Sequence, residues 1–287
     1  MSKKIIIGTA QFGMKYGIAN RIGKIKSSEI FKILNYSKKN GVKYLDTANS
    51  YKKSENEIGN YLKKTKNKFD IITKFSFENN LTLEDQFFQS LRSLNCTPSI
   101  ILAHNCKDYL NPNFHKIIKK IKKKYFIKFV GVSLYNVKDL NKILKYKKPD
   151  IIQVPLNIFD KSFLNKKIIQ NLKRKKILIH GRSIFLQGLF FKSKKFIFKN
   201  FKNIGLEFEL LNKIAKIEKM SLGELSLCWA FNLKNIDNIV IGVDSLTHLK
   251  KNLSIIKKKL SKDTYSQIDK INIKNNKIIK PYLWKKI

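Results

Sequence analysis

Short apolar runs alternate with longer amphipathic stretches along the whole chain. Eight runs have the length of strands: Ile5–Ile7, Lys43–Leu45, Asp70–Thr73, Ile100–Ala103, Ile127–Val132, Ile151–Val154, Ile177–Ile179 and Asn238–Ile241. They are rich in Ile and Val and nearly continuous, as strands covered on both faces are. Between them the apolar positions recur at helical spacing. In Thr82–Leu94, residues Leu83, Phe87, Leu91 and Leu94 share one stripe, and Thr82 with Asp85 predicts a capped start. In Ser28–Asn40, residues Ile30, Ile33 and Leu34 point one way and Gly41 marks the stop. The same spacing predicts inward stripes of Leu206, Leu210, Ile214 and Ile217, and of Leu246, Leu249, Leu253, Ile256 and Leu260.

Eight strands alternating with helices, each pair taking roughly 30 to 35 residues, predict an α/β fold of the (β/α)8 TIM-barrel type, with residues 1–287 as one domain. A doubly wound sheet is the competing arrangement, but no GxGxxG follows any of the runs. The stretch Gly17–Lys24 fails the phosphate-loop spacing as well. Two connections are longer than the rest: Gly8–Lys26 after the first strand and Gly181–Gly205 after the seventh. In a barrel such loops build the mouth, so they are expected to shape a cleft.

Composition changes this picture little. Hydrophobic residues make up 43% of the 287, enough for a large core. No apolar run approaches the ~20 residues of a membrane span, and the start, MSKKIII, is too short for a signal-peptide core. Cys96, Cys106 and Cys228 lack CxxC spacing and read as small buried hydrophobes in a reducing, cytoplasmic setting. The formal net charge of +40 would suit a polyanion-binding surface. The lysines are nevertheless scattered, and Lys, Asn and Ile share AT-rich codons, so drift of surface positions to Lys gives the same balance. That argues against nucleic acid as the partner. We expect a monomer or weak homo-oligomer acting on a small molecule.

Four polar residues fall at the ends of adjacent strands. Asp46 ends the second, Tyr51 follows it, Lys74 ends the third and His104 the fourth. In a barrel they converge on one mouth. A free phenol titrates near 10, and a neighbouring ammonium would lower that value so that Tyr51 could exchange a proton with a carbonyl oxygen. Asp46 would hold Lys74 charged, and His104 would orient the carbonyl. Hydride must come from a cofactor. Two other readings stand beside this one: a non-catalytic barrel that binds polyanions or serves as a scaffold, and an isomerase or lyase using the same mouth.

With these residues in place, the chain resembles the aldo-keto reductase family over nearly all its length. LDTANSYKKSE, DIITKF and ILAHN are similar to that family's Asp–Tyr, Lys and His segments. VGVSLYN at 130–136 and IIQVPLN at 151–157 resemble the segments that bind the nicotinamide carboxamide. IVIGVDSLTHLKKN at 239–252 resembles the one that holds the adenosine end. GTAQFGMKYGIAN and HGRSIFLQGLFF resemble a bacterial subgroup of surface-polysaccharide pathways. The resemblance implies a barrel that reduces a carbonyl, such as that of a sugar derivative, with NADPH or NADH and Tyr51 as proton donor. Catalytic residues would be Asp46, Tyr51, Lys74 and His104; cofactor contacts would be Ser133, Gln153, Arg182, Ser245 and Asn252, with no metal. The chain departs from the family at Leu134, where an Asn is usual, and at Arg182, where an aromatic usually stacks on the nicotinamide. Asp244 stands in the adenosine loop and basic anchors are missing there, so weak discrimination between NADH and NADPH is expected. Tyr282 and Trp284 are candidates for the substrate pocket.

Overall fold

A computed structural model describes residues 4–273 and 277–284. The strands are β1 (Lys4–Gly8), β2 (Tyr44–Asp46), β3 (Asp70–Phe75), β4 (Ile100–Ala103), β5 (Phe129–Ser133), β6 (Ile151–Pro155), β7 (Leu178–Arg182) and β8 (Asn238–Gly242). All pair in parallel with their sequence neighbours, and β8 closes on β1. The principal helix on the outside of each strand connection is α1 (Ser27–Lys39), α2 (Ser54–Lys64), α3 (Leu83–Leu94), α4 (Pro112–Lys124), α5 (Val137–Tyr146), α6 (Lys166–Arg174) and α7 (Leu222–Asn232), with α8 (Leu246–Ile255) after β8. This is the (β/α)8 barrel that the periodicity predicts.

The strands run further into polar sequence than the apolar runs suggest. β3 takes in Lys74, β5 takes in Ser133 and β7 takes in His180 and Arg182. The reason lies in the alternation of strand side chains. Outward positions such as Ile5, Ile7, Ile71 and Ile101 pack beneath the helices. Inward positions form a second cluster of Ile6, Ile72, Ile100, Leu102, Ile151 and Val240. Following the same inward rows toward the strand ends leads to Asp46, Lys74, Gln153 and His180. The barrel therefore has an apolar floor and a polar upper layer.

The helices largely obey the sequence signals. Thr82 Oγ1 accepts from Asp85 N at 3.1 Å and caps α3; Ile30, Ile33 and Leu34 are buried in α1. One stripe is overturned. In the helix Gly205–Ile217 the buried residues include Phe208, Leu211 and Ile214, whereas Leu206 is 80% exposed and Ile217 72% exposed. Two apolar stripes compete in this sequence, and the aromatic one wins the core. α8 also ends at Ile255, short of the expected Leu260.

α2 crosses α3 at Gly59, where an added Cβ would lie 1.9 Å from the Ser93 carbonyl oxygen. Gly59→Ala should therefore cost about 1–3 kcal/mol of unfolding free energy in urea. Ile217→Lys should stay within about 0.5 kcal/mol of the parent, since it removes no buried contact.

Candidate active site

The base of the site is an ion pair. Lys74 Nζ donates to Asp46 Oδ1 at 2.5 Å and to the Thr47 carbonyl at 2.8 Å. Gln153 Nε2 donates to Asp46 Oδ2 at 2.7 Å. Asp46, Lys74 and Gln153 are all buried. The barrel register sets them side by side: Asp46 is level with Ile72 on β3, two residues before Lys74, and Gln153 is level with Ser133 and His180.

Tyr51 stands above this pair. Its segment is held by a turn in which Tyr51 N donates to the Ala48 carbonyl and Ser54 N to the Tyr51 carbonyl. The first long loop packs against the same turn. An added Cβ at Gly13 would lie 1.9 Å from the Tyr51 carbonyl oxygen, so only glycine lets the two loops meet. Lys74 Nζ sits 5.3 Å from the centre of the Tyr51 ring. The His104 ring meets Tyr51 edge-on, with ring centres 6.2 Å apart. The four predicted residues are thus together.

The electrostatics differ from the sequence expectation. Burial, and then the Asp46 carboxylate, raise the proton affinity of Tyr51 above that of a free phenol; the charge that pulls it down is Arg182. Lys74 was expected to play that part, but its charge is neutralised by Asp46 at hydrogen-bond distance. His104 is pushed down to about 4 by burial, then by Lys74 and Arg182. At neutral pH the site holds a phenol and a neutral imidazole.

Arg182 also differs from expectation. Its guanidinium carbon lies 4.5 Å from the centre of the Tyr135 ring, and Nη2 donates to the Leu134 carbonyl at 3.0 Å. A guanidinium stacked on Tyr135 thus occupies the place expected for a lone aromatic. Three further residues were not singled out from sequence. Tyr16 and Gln187 come from the two long loops and meet at 3.4 Å beside Tyr51. His180 lies buried in the barrel, contacts Asn238 through Nε2, and is pushed down to about 4 by burial. Its signal was the period-two row that ends in Arg182.

Two recesses meet at Tyr51 and the ion pair. One is lined by Tyr51, Gln153, Arg182, Tyr16 and Gln187. It shares Phe185, Phe191, Gly242 and Asp244 with a further recess that ends at His248, Lys251 and Asn252. Together they form an extended cleft from the barrel centre to the start of α8. A buried Asp244 oxygen in this shared wall has no partner, as a group that waits for a hydroxyl would. Such a cleft fits a dinucleotide. Ser133 is buried beside Gln153 without lining the cleft, and Ser245 caps α8 by accepting from His248 N at 3.1 Å. Arg21 and Lys216, from outside the adenosine segment, line the far recess together with its Lys251. The other recess at the centre runs past Lys74 and His104 to Asn79, Asn105, Asn136 and Lys142. Tyr282 lines it, against Tyr135. Trp284 instead packs on Phe201 and donates to the Ile278 carbonyl. Burial pushes the thiols of Cys96, Cys106 and Cys228 up to about 11, as befits inert packing groups.

The depressed imidazoles of His104 and His180 have a stability consequence. Unfolding returns both to about 6.5, so the unfolded chain binds more protons between about 4 and 6.5. Stability should therefore fall as pH drops through that window and level off below it as far as these groups are concerned. Urea titrations of the parent and of His180→Gln would test this; the variant should lose part of the slope.

The model of the aldo/keto reductase family matches residues 4–273. Three solved structures illustrate the fold likeness. The holo form of an aldo-keto reductase from Bacillus halodurans is 18% identical, with TM-score 0.72, covering 93% of this chain and 91% of that one. An aldo-keto reductase from Klebsiella pneumoniae in complex with NADPH is 16% identical, with TM-score 0.70 and coverage of 93% and 90%. The glycerol dehydrogenase from Gluconobacter oxydans is 16% identical, with TM-score 0.69 and coverage of 99% and 93%. No curated protein sequence matches. On the family match over almost its entire length, the chain belongs to the aldo/keto reductase family.

Proposed function

We propose that this protein reduces the aldehyde or ketone of a polyhydroxylated molecule, a sugar or sugar derivative, with Tyr51 as the proton donor. Family membership makes it an NAD(P)H-dependent oxidoreductase. The observation that carries the finer reading is the convergence of Tyr51, His104 and the Asp46–Lys74 pair at the junction of two recesses. One recess suits a dinucleotide. The other has a polar wall that carries both Lys107 and Lys142 and the carboxylates of Glu78 and Asp139, which suits the hydroxyls of such a substrate. A bound nicotinamide supplies the hydride. Of the residues expected to hold it, Gln153 lines the inner end of the cleft and Asn252, with Lys251, the far end.

The chain's own part is to place and protonate a carbonyl. Tyr51 keeps its proton because burial and Asp46 oppose the phenolate. His104, neutral, can donate one N–H to the carbonyl oxygen without adding a charge to the site. As negative charge grows on that oxygen, the phenol gives up its proton, and Arg182 favours the phenolate left behind. A scaffold role leaves the buried ion pair without a purpose, since an ion pair in the interior is costly to retain.

Tyr51→Phe keeps the ring and removes the hydroxyl. It should lower kcat on the order of 10²–10⁴-fold while cofactor binding, followed by tryptophan fluorescence, persists. Near-normal turnover of a keto- or aldo-sugar panel would place the acid elsewhere.

The field around Tyr51 makes a second prediction. Arg182→Gln removes the cation that favours the phenolate, so the alkaline limb of the pH–rate profile should move to higher pH. Asp46→Asn removes the anion that opposes it and frees the charge of Lys74, so the limb should move to lower pH. Shifts in one common direction would contradict this electrostatic account.

A further inference from the structure

The end of the barrel opposite the site carries a charge pattern that carbonyl reduction does not use. Connections from helix to next strand gather at this N-terminal face. In the segments 38–43, 63–68, 122–128, 145–148 and 173–176 every charged side chain is Lys or Arg. These segments precede β2, β3, β5, β6 and β7, so they spread around most of the ring instead of forming one stripe. Their basic side chains are exposed, except for a half-buried Lys38. Between the end of each barrel helix and the following strand residue, the only acids are Asp70, Asp150 and Asp237. All three serve the fold, Asp150 accepting from Val130 N at 2.9 Å, Asp237 from Ile179 N at 2.8 Å, and Asp70 from Ser99 Oγ at 2.9 Å, and Asp237 also pairs with Lys173 at 2.8 Å.

Helix dipoles explain part of this, since cations favour the last turn of a helix. They do not explain the lysines beyond the helix ends, nor Phe126. That residue sits in KKKYFIK and is 83% exposed, more than any other large hydrophobic among the described residues. Tyr146, between Lys145 and Lys147, is 46% exposed on the same end. Between α4 and α5 an open recess is lined by Lys119, Lys122, Lys123, Lys147 and Lys148 against a single carboxylate, Asp150, a balance of charge that suits a phosphate headgroup. A phenyl ring among lysines can stack on an unpaired base, but the basic segments here spread around most of a broad face instead of tracking a groove, which suits a bilayer better than a strand. At a bilayer surface the lysines meet anionic headgroups and the ring enters the acyl boundary.

We propose that the N-terminal face of the barrel docks the protein peripherally on an anionic lipid bilayer, with Phe126 inserted between the headgroups. No helix among the described residues is long and apolar enough to cross a membrane, so attachment is at the surface and reversible. It leaves the catalytic mouth, at the other end of the strands, facing the solvent.

Sedimentation with vesicles tests this on the full chain. The protein should pellet with phosphatidylcholine vesicles containing phosphatidylglycerol, not with phosphatidylcholine alone, and salt should release it. The triple variant Lys122→Gln, Lys123→Gln, Lys124→Gln should bind on the order of 100-fold more weakly, from about fivefold per lysine. Phe126→Ser, which leaves the charge unchanged, should bind about tenfold more weakly. The control Lys166→Gln, Lys167→Gln, Lys199→Gln removes equal charge from the other end and should bind nearly as the parent does. Circular dichroism and thermal midpoints would establish that the variants are folded. The proposal is overturned by equal binding to the neutral vesicles, by no binding to either, or by an equal loss in the control. Tighter binding to a short RNA that is indifferent to Phe126→Ser would overturn it too.

Discussion

The buried pair of Asp46 and Lys74 is the constraint on which the site depends. Two charges taken out of water cost more than their attraction returns unless the remaining polar valences are filled. Here they are: Gln153 takes the second carboxylate oxygen and the Thr47 carbonyl takes a second ammonium proton. Those partners come from β2, β3 and β6, so the pair is satisfied only when the barrel is closed and in register. The same pairing fixes the charge state above it. A neutralised ammonium cannot make Tyr51 strongly acidic, so the phenol stays a phenol and is ready to give a proton to a stronger base formed during reaction.

Much of this was legible in the sequence because the relevant signals are local. Eight Ile- and Val-rich runs report eight buried strands, and Asp46, Lys74 and His104 stand immediately at their ends. What the sequence hid is of two kinds. One residue was hidden because strands continue past their apolar part: His180 looks like a loop residue until the inward row is followed up β7 to Arg182. Others come from segments without periodicity. Tyr16, Gln187 and Arg21 reach the cleft only through the fold of the two long loops, and Lys216 only through the packing of an extra helix. The exposed Leu206 and Ile217 show the opposite error. A periodic stripe states that a helix has an apolar face, but two faces offset by a residue or two are both periodic, and the bulk of Phe208 decides between them.

Electrostatic roles were the least legible, for a physical reason. The convergence of adjacent strand ends suggested Lys74 as the cation that tunes Tyr51, but a charge is felt after its partners are counted. At Tyr51 the Asp46 carboxylate opposes what Lys74 presents, whereas His104 still feels the ammonium. Arg182 stacks on Tyr135 and bonds to a backbone carbonyl, neither of which carries charge, so its field reaches Tyr51 and His104. The departure at Arg182, read from sequence as a change in how a nicotinamide is stacked, is in the structure also a change in who supplies the positive potential.

The barrel architecture lets two ends of the molecule carry different chemistry. Each strand begins at one rim and ends at the other, so residues only a few positions apart in sequence are assigned to opposite faces. Asp70 and Lys74 belong to the same short strand, yet one closes a hydrogen bond to Ser99 at the foot and the other lies beneath Tyr51 at the mouth. Surface lysines at the foot are separated from the phenol by the apolar floor of Ile6, Ile72, Ile100 and Ile151. At physiological ionic strength a Debye length is about 8 Å, so charges exposed to solvent at one rim act weakly on groups buried at the other. The basic face can therefore change without retuning Tyr51, and the local set of Asp46, Lys74 and Arg182 governs the site in spite of the +40 carried by the whole chain.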